Sequence, residues 1–336
     1  MVPTVANVME DKRLPIISAD QSLRKAAEVM LENRVLGTIT LDALRRPELV
    51  LSYRRLVRAV AAGVDIDKAT VAEQAVLKPV TVRTTDSITE ALNIMRKRGV
   101  RFLPVVDETG EVKGVLEPRF AAYALWSRLS YGLARVEPVS RRIVVLPEDA
   151  SLRAAAKAMD ETGAMEVFVK RGDEITVLRE WDFLEALIKG GPEAKIGDYA
   201  KGEIIYVPPG FDSKAAVELM HENDVTRLIV KKDGELTTIT LTDLAFQAMD
   251  YLAYMGERVK GVVLVNVETG REHEVAERIM AVPGVKEVLM ATGPFDLIVL
   301  LEASSTSELF KIVSEGIRSL RAVKSTQTLV ATRVLH

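Results

Sequence analysis

Cysteine is absent from this chain, and histidine occurs only as His221, His273 and His336. The first absence excludes disulfides and thiolate chemistry and fits a reducing compartment; the second leaves no metal-like cluster of soft ligands. Aromatics make up 5% of the residues, with two tryptophans. No apolar run approaches the roughly 18 to 20 residues needed to cross a bilayer, and Glu10 and Asp11 spoil a signal peptide. Net charge is −3, so nothing in the bulk balance draws the chain to DNA or an anionic membrane. Glycines mark turns, without the strand, Gly-rich loop and helix of a P-loop or dinucleotide fold. These absences point to a soluble, cytoplasmic chain in which no catalytic constellation, metal site or required cofactor is evident.

What is present is repetition. A short apolar strand, a turn, a Ser or Asp, and a helical stretch with Met eight residues later recur over Ile16 to Met30, Val80 to Met95, Ile143 to Met159 and Ile204 to Met220. The spacing, roughly 60 to 65 residues, suits a complete α/β unit. Ser22, Ser87, Ser151 and Asp212 are good helix N-caps, because a side-chain oxygen takes the orphan amides of the first turn. Apolar residues at three- and four-residue steps, such as Ala91, Leu92 and Met95, give each helix one buried face. Two strands follow, in the second unit Phe102 to Val106 and Val112 to Leu116, joined by Asp107-Glu108-Thr109-Gly110. A final helix closes the unit. Such a unit carries helices on one sheet face only, so pairs packed sheet to sheet are the stable object.

These units resemble the CBS domain, which works in tandem pairs called Bateman modules. The likeness is carried by Gly99-Val100-Arg101-Phe102-Leu103-Pro104-Val105-Val106-Asp107 and by Val225-Thr226-Arg227-Leu228-Ile229-Val230. It implies units over residues 4–63, 69–126, 138–190 and 194–250, paired first with second and third with fourth. It also implies an adenine nucleotide, AMP, ADP, ATP or S-adenosylmethionine, read by a Ser/Thr-x-x-Asp motif: a carboxylate accepts from a ribose diol, a hydroxyl and free amides suit phosphate. Only the fourth unit has both residues, Thr240 and Asp243; the matching slots are Ser52 and Arg55, Glu117 and Phe120, Arg179 and Asp182. The intact site is therefore expected in the second module, with Thr240, Asp243, the strand-opening Arg227, Ile205 and Tyr206 on the adenine edge, and Arg179 and Asp182 adding contacts. Thr-x-x-Asp before an apolar helix is equally a capping pattern. The third unit has Ala164-Met165-Glu166 where an Arg often stands.

Residues 258–336 change rhythm and read as βαββαβ, the ferredoxin-like order, so the fold class is α/β (α+β). Val263, Val265, Leu289 and Val299 suggest an apolar face opposite the helices, which a homodimer or higher oligomer covers. This tail resembles the effector-binding domain of the Lrp/AsnC family (RAM, ACT-like) through Val265-Asn266-Val267-Glu268-Thr269-Gly270, Val282-Pro283-Gly284-Val285 and Thr292-Gly293-Pro294-Phe295-Asp296-Leu297. The resemblance implies an amino-acid effector near Gly293, Phe295 and Asp296. Pro294 and Phe295 depart from the family's usual residues. The reading is an adenine-nucleotide sensor with an oligomerising tail. Two alternatives stand: a transcription regulator contacting DNA without a helix-turn-helix, through Arg45, Arg46, Arg54, Arg55 and Arg58, and an amino-acid-responsive protein with the repeats as scaffold.

Overall fold

A side-chain oxygen opens the first helix of every repeat. Ser22, Ser87 and Ser151 each accept a backbone N–H at 3.2 Å, and Asp212 accepts two at 3.0 Å. The methionines eight residues on, Met30, Met95, Met159 and Met220, are buried. The computed structural model describes residues 3–11, 14–129, 131–132, 134–136, 139–232, 235–256, 259–303 and 306–331. His336 and Pro138 lie outside the described residues. The chain divides into two compact units, Met1–Met249 and Asp250–His336.

The first repeat comprises α1 (Leu23–Asn33), β1 (Gly37–Leu41), β2 (Pro47–Ser52) and α2 (Tyr53–Ala61), followed by the short α3 (Val71–Gln74) and β3 (Val76–Leu77). The second comprises β4 (Val82–Arg83), α4 (Ile88–Arg98), β5 (Leu103–Val106), β6 (Val112–Leu116) and α5 (Pro118–Trp126). After β7 (Val139–Arg142), the third runs through β8 (Val145–Pro147), α6 (Leu152–Thr162), β9 (Val167–Arg171), β10 (Glu174–Leu178) and α7 (Glu180–Lys189). The fourth has β11 (Tyr206–Val207), α8 (Ser213–Glu222), β12 (Arg227–Lys232), β13 (Glu235–Thr240) and α9 (Leu241–Gly256).

The repeats exchange their leader segments. Pro3 and Val5 bond to Ile88 and Asp86 of the second unit, while Ala69 and Val71 bond to Leu23 and Gln21 of the first. Strand β3 pairs with β2, and β7 pairs with β13 of the fourth unit. Residues 69–77, which the repeat spacing groups with the second unit, thus lie on the first, and Val139–Arg142 lie on the fourth sheet. A spacing argument places copies of a pattern; it does not say which copy's edge a leader satisfies.

Sheets pair as the repeat logic requires. Ile39 and Val50 of the first unit share a core with Phe102 and Val115 of the second, and Phe168 and Val177 of the third with Ile229 of the fourth. A Cβ on Gly37 would meet the Phe102 ring at 2.8 Å, so the two sheets leave space there only for glycine. Helices then join the pairs: α1 and α2 pack with α6 and α7 around Leu56, Met159, Phe183 and Leu187. Between the second and fourth units, buried Trp126 donates its indole N–H to the Leu244 carbonyl at 2.8 Å. Each of the four units therefore touches at least two others.

The second compact unit follows βαββαβ: β14 (Val259–Val267), α10 (Glu272–Met280), β15 (Val285–Met290), β16 (Leu297–Ala303), α11 (Thr306–Lys311) with a further helical turn over Ile312–Ile317, and β17 (Val323–Ala331). The sheet order is β15-β16-β14-β17, antiparallel throughout. Here one expectation is corrected. Val263, Val265 and Val299 face the helices, sharing a core with Val275, Ile279, Leu309 and Val313. The opposite face carries Leu289, Ile298 and Leu264 in one cross-strand row and Leu300, Val262 and Leu329 in the next. Both faces of β14 and β16 are apolar, so a period of two separates them without saying which one the helices cover.

Candidate functional site

Among the described residues, a cavity of about 340 Å³ opens where all four repeats meet. Its walls begin with Ser52 at the entry to α2 and the exposed Arg54, Arg55 and Arg58 on that helix. The second unit adds Lys78, Gly99, Arg101 and the Glu117–Arg119 turn; the third adds Met165 and Glu180; the fourth adds Thr226, Arg227, Thr240 and Thr242. Seven of the lining side chains are basic and two are carboxylates. The repeat geometry causes this convergence, because each unit ends a strand and starts its last helix at the same place.

Each charge has identifiable neighbours. Glu117, buried, accepts from the Leu36 N–H at 2.5 Å and from Arg119 Nε at 2.8 Å, clasping the first unit to the second. Arg54 donates to the Gly163 carbonyl at 2.9 Å, Arg58 pairs with Asp160 at 3.0 Å, and Arg55 donates to the Gln74 carbonyl at 3.2 Å. Arg227 contacts the buried Glu166 carboxylate, and its Nη2 stands 3.6 Å from Glu180. Glu166 occupies the position held by Arg101 and Arg227 in the neighbouring repeats, so the third unit's charge reversal neutralises the fourth unit's arginine. Glu180 is 5% exposed, and burial pushes its carboxyl up to about 7.

The residues expected from sequence are only partly gathered here. Thr240 and Arg227 line the cavity; Asp243, Ile205, Tyr206, Arg179 and Asp182 do not. Thr240 and Asp243 bond reciprocally: the Thr hydroxyl and amide donate to Asp243 Oδ2 at 2.6 and 3.0 Å, and the Asp243 amide donates to Thr240 Oγ1 at 3.3 Å. This is the capping arrangement, with Thr240 held at the cavity edge. At the start of α7 only half of it recurs: the Arg179 amide and Nε both donate to Asp182 Oδ2 at 3.0 Å, and the guanidinium has no acceptor to return. The Ile205 carbonyl accepts from Ile229, and Tyr206 is exposed at a strand end. Sequence reasoning missed Glu180 and Arg119, whose only signal was position beside the motif slots, and Lys78, which had none; Arg54 had been weighed only as a DNA contact.

The five arginines weighed as a DNA face are divided between two places. Arg54, Arg55 and Arg58 lie on α2, while Arg45 and Arg46 bind Glu111 and the Thr109 carbonyl at the β1–β2 turn. In the tail, Gly293 is exposed in the β15–β16 turn. Asp296 accepts from the Val267 N–H at 2.8 Å and donates its own amide to Val265 at 3.0 Å, tying that turn to β14. Phe295 is half-buried beside it.

Residues 73–119 match the CBS domain family, and residues 260–335 match the Lrp/AsnC ligand binding domain family. The chain carries both domains. Its CBS repeats form tandem modules, and its tail is the Lrp/AsnC domain. Over 73% of its length the chain superposes on 99% of protein MJ1225 from Methanocaldococcus jannaschii, with a TM-score of 0.61 at 17% identity, which establishes a shared fold. It is 40% identical over 60 residues to an uncharacterized HTH-type transcriptional regulator of Pyrococcus horikoshii, and 30% identical over 111 residues to an uncharacterized 17.7 kDa protein of Acidianus ambivalens. The chain spans 40% and 66% of the lengths of these two relatives. Among the described residues no helix is long and apolar enough to cross a membrane, and no group of three or more His, Cys, Asp or Glu is placed to hold a metal.

Proposed function

We propose that this protein is a non-enzymatic regulator that senses an adenine nucleotide in the four-repeat cavity and passes the signal through an oligomer built by its Lrp/AsnC domain. One observation carries the reading: a ligand-sized cavity with seven basic side chains lies where all four CBS repeats meet. Phosphates suit the guanidinium groups of α2, with Ser52 and Thr240 adding hydroxyls. A ligand there touches every repeat, so it favours whichever arrangement of the repeats it fits better, as coupling between sites requires. Asp243 acts by holding the Thr240 hydroxyl. Gly293, Phe295 and Asp296 remain the candidate effector residues of the tail.

Titration calorimetry of the full chain with AMP, ADP, ATP and S-adenosylmethionine is the test. Binding of at least one, weakened in Arg55→Ala, supports the reading; heats indistinguishable from buffer for all four reject it. A second reading follows from the likeness to HTH-type regulators: the protein controls transcription. Salt-dependent, sequence-selective DNA binding by the purified chain is the result that would favour it. Thermal-shift screening of amino acids against nucleotides separates the tail-centred alternative, which requires a larger shift from the amino acids.

A further inference from the structure

The cavity is not uniformly basic. By exposure, Arg54, Arg55, Arg58 and Lys78 mark its mouth and buried Tyr53, Glu117 and Glu180 its floor, with half-buried Arg119 and Arg227 beside the two carboxylates. The two floor carboxylates differ in what they already hold. Glu117 has both oxygens engaged, by the Leu36 amide and by Arg119. Glu180 has Arg227 Nη2 at 3.6 Å, an ion-pair distance beyond hydrogen-bond reach. Arg227 in turn is held by Glu166. Glu180 is thus a buried acceptor with capacity to spare, and acceptors of this kind are strongly favoured to take donors that a ligand brings.

We infer that the cavity is bipolar and orients a nucleoside polyphosphate: the α2 arginines take the phosphates at the mouth, and Glu180, from the third repeat, accepts hydrogen bonds from the sugar or base end at the floor. The inference rests on the nucleotide reading above and adds a specificity-determining residue outside the Ser/Thr-x-x-Asp slots. The ribose-reading carboxylate missing from the first repeat, where Arg55 stands in its slot, is supplied across the array by a different unit. Phosphate alone then binds without using Glu180, and its affinity is indifferent to that residue or improves when the negative charge is removed. A nucleotide loses its floor contact when Glu180 is changed.

The experiment compares ATP with inorganic tripolyphosphate on the full chain, as parent, Glu180→Ala, Glu180→Gln and Arg55→Ala, by calorimetry. Expected are an at least tenfold loss of ATP affinity in Glu180→Ala, a smaller loss in Glu180→Gln, and tripolyphosphate affinity within twofold of the parent or tighter in both. Arg55→Ala weakens both ligands. Equal losses for ATP and tripolyphosphate in the Glu180 variants, loss of both ligands, or no loss of ATP overturns the inference while leaving nucleotide binding by the parent intact. If the parent binds neither ligand, the nucleotide reading itself falls, and the inference with it.

Discussion

Burial raises the Glu180 carboxyl to about 7 from an ordinary 4.5, and that shift has a sign for stability. Below about pH 4.5 the group is protonated in both folded and unfolded chains and contributes nothing. Between 4.5 and 7 the unfolded chain ionises while the folded one resists, so stability falls as pH rises, by roughly 3 kcal/mol at most, and levels off above the folded value. Glu180→Gln removes that cost. Urea melts should show the variant more stable than the parent near pH 8, with the difference shrinking towards pH 5; an equal difference at both pH values would contradict the burial argument. The Arg58–Asp160 pair, by contrast, is solvent-exposed, and Arg58→Ala should cost no more than about 1 kcal/mol. None of Glu166, Glu180 and Arg227 announces itself as a partner of the others in sequence. Their convergence follows from the third and fourth repeats facing each other, although the replacement of Arg by Glu at position 166 was legible as a break in the pattern.

Elements were legible where one local cause suffices. Ser22, Ser87, Ser151 and Asp212 start helices because their oxygens reach the free amides two or three residues on, and that geometry needs no tertiary help. Ser151→Ala should therefore lower stability by about 1 kcal/mol, read from the denaturation midpoint. Asp243→Ala removes a cap of the same class and should cost roughly 0.5 to 2 kcal/mol. If that substitution also lowers nucleotide affinity, the Thr240 hydroxyl it positions belongs to the ligand site. Strand identity was legible in the tail as well. Facing was not: Val263 and Val262 alternate along β14 with equal apolarity, and only the docking of α10 and α11 makes the first core and leaves the second half-buried on the open face.

At the scale of the whole molecule, the proposed oligomer needs a surface, and the reading assigns it to the sheet face of the Lrp/AsnC domain that its helices leave open. Leu264 and Ile298 are paired neighbours on it, half-buried at the centre of the sheet. Leu264→Asp should shift the protein to a smaller species in native mass spectrometry with its melting behaviour otherwise kept. Val263→Asp, one residue away, places a charge in the core and should unfold the domain. If Leu264→Asp leaves the oligomer unchanged, the face is not the interface.

The sequence alone determined the repeat, its helix starts, its buried methionines, the change of fold at the tail and both family resemblances, because each depends on neighbours within one turn or one strand. Tertiary structure decided which leader covers which unit, which side of the tail sheet is open, and that the basic cavity draws on all four repeats and not on the fourth alone. Those outcomes depend on contacts between segments far apart in the chain, such as Arg227 with Glu166 or Leu36 with Glu117. Local pattern carries no record of them, since the same alternation and the same charges are compatible with several ways of packing the units.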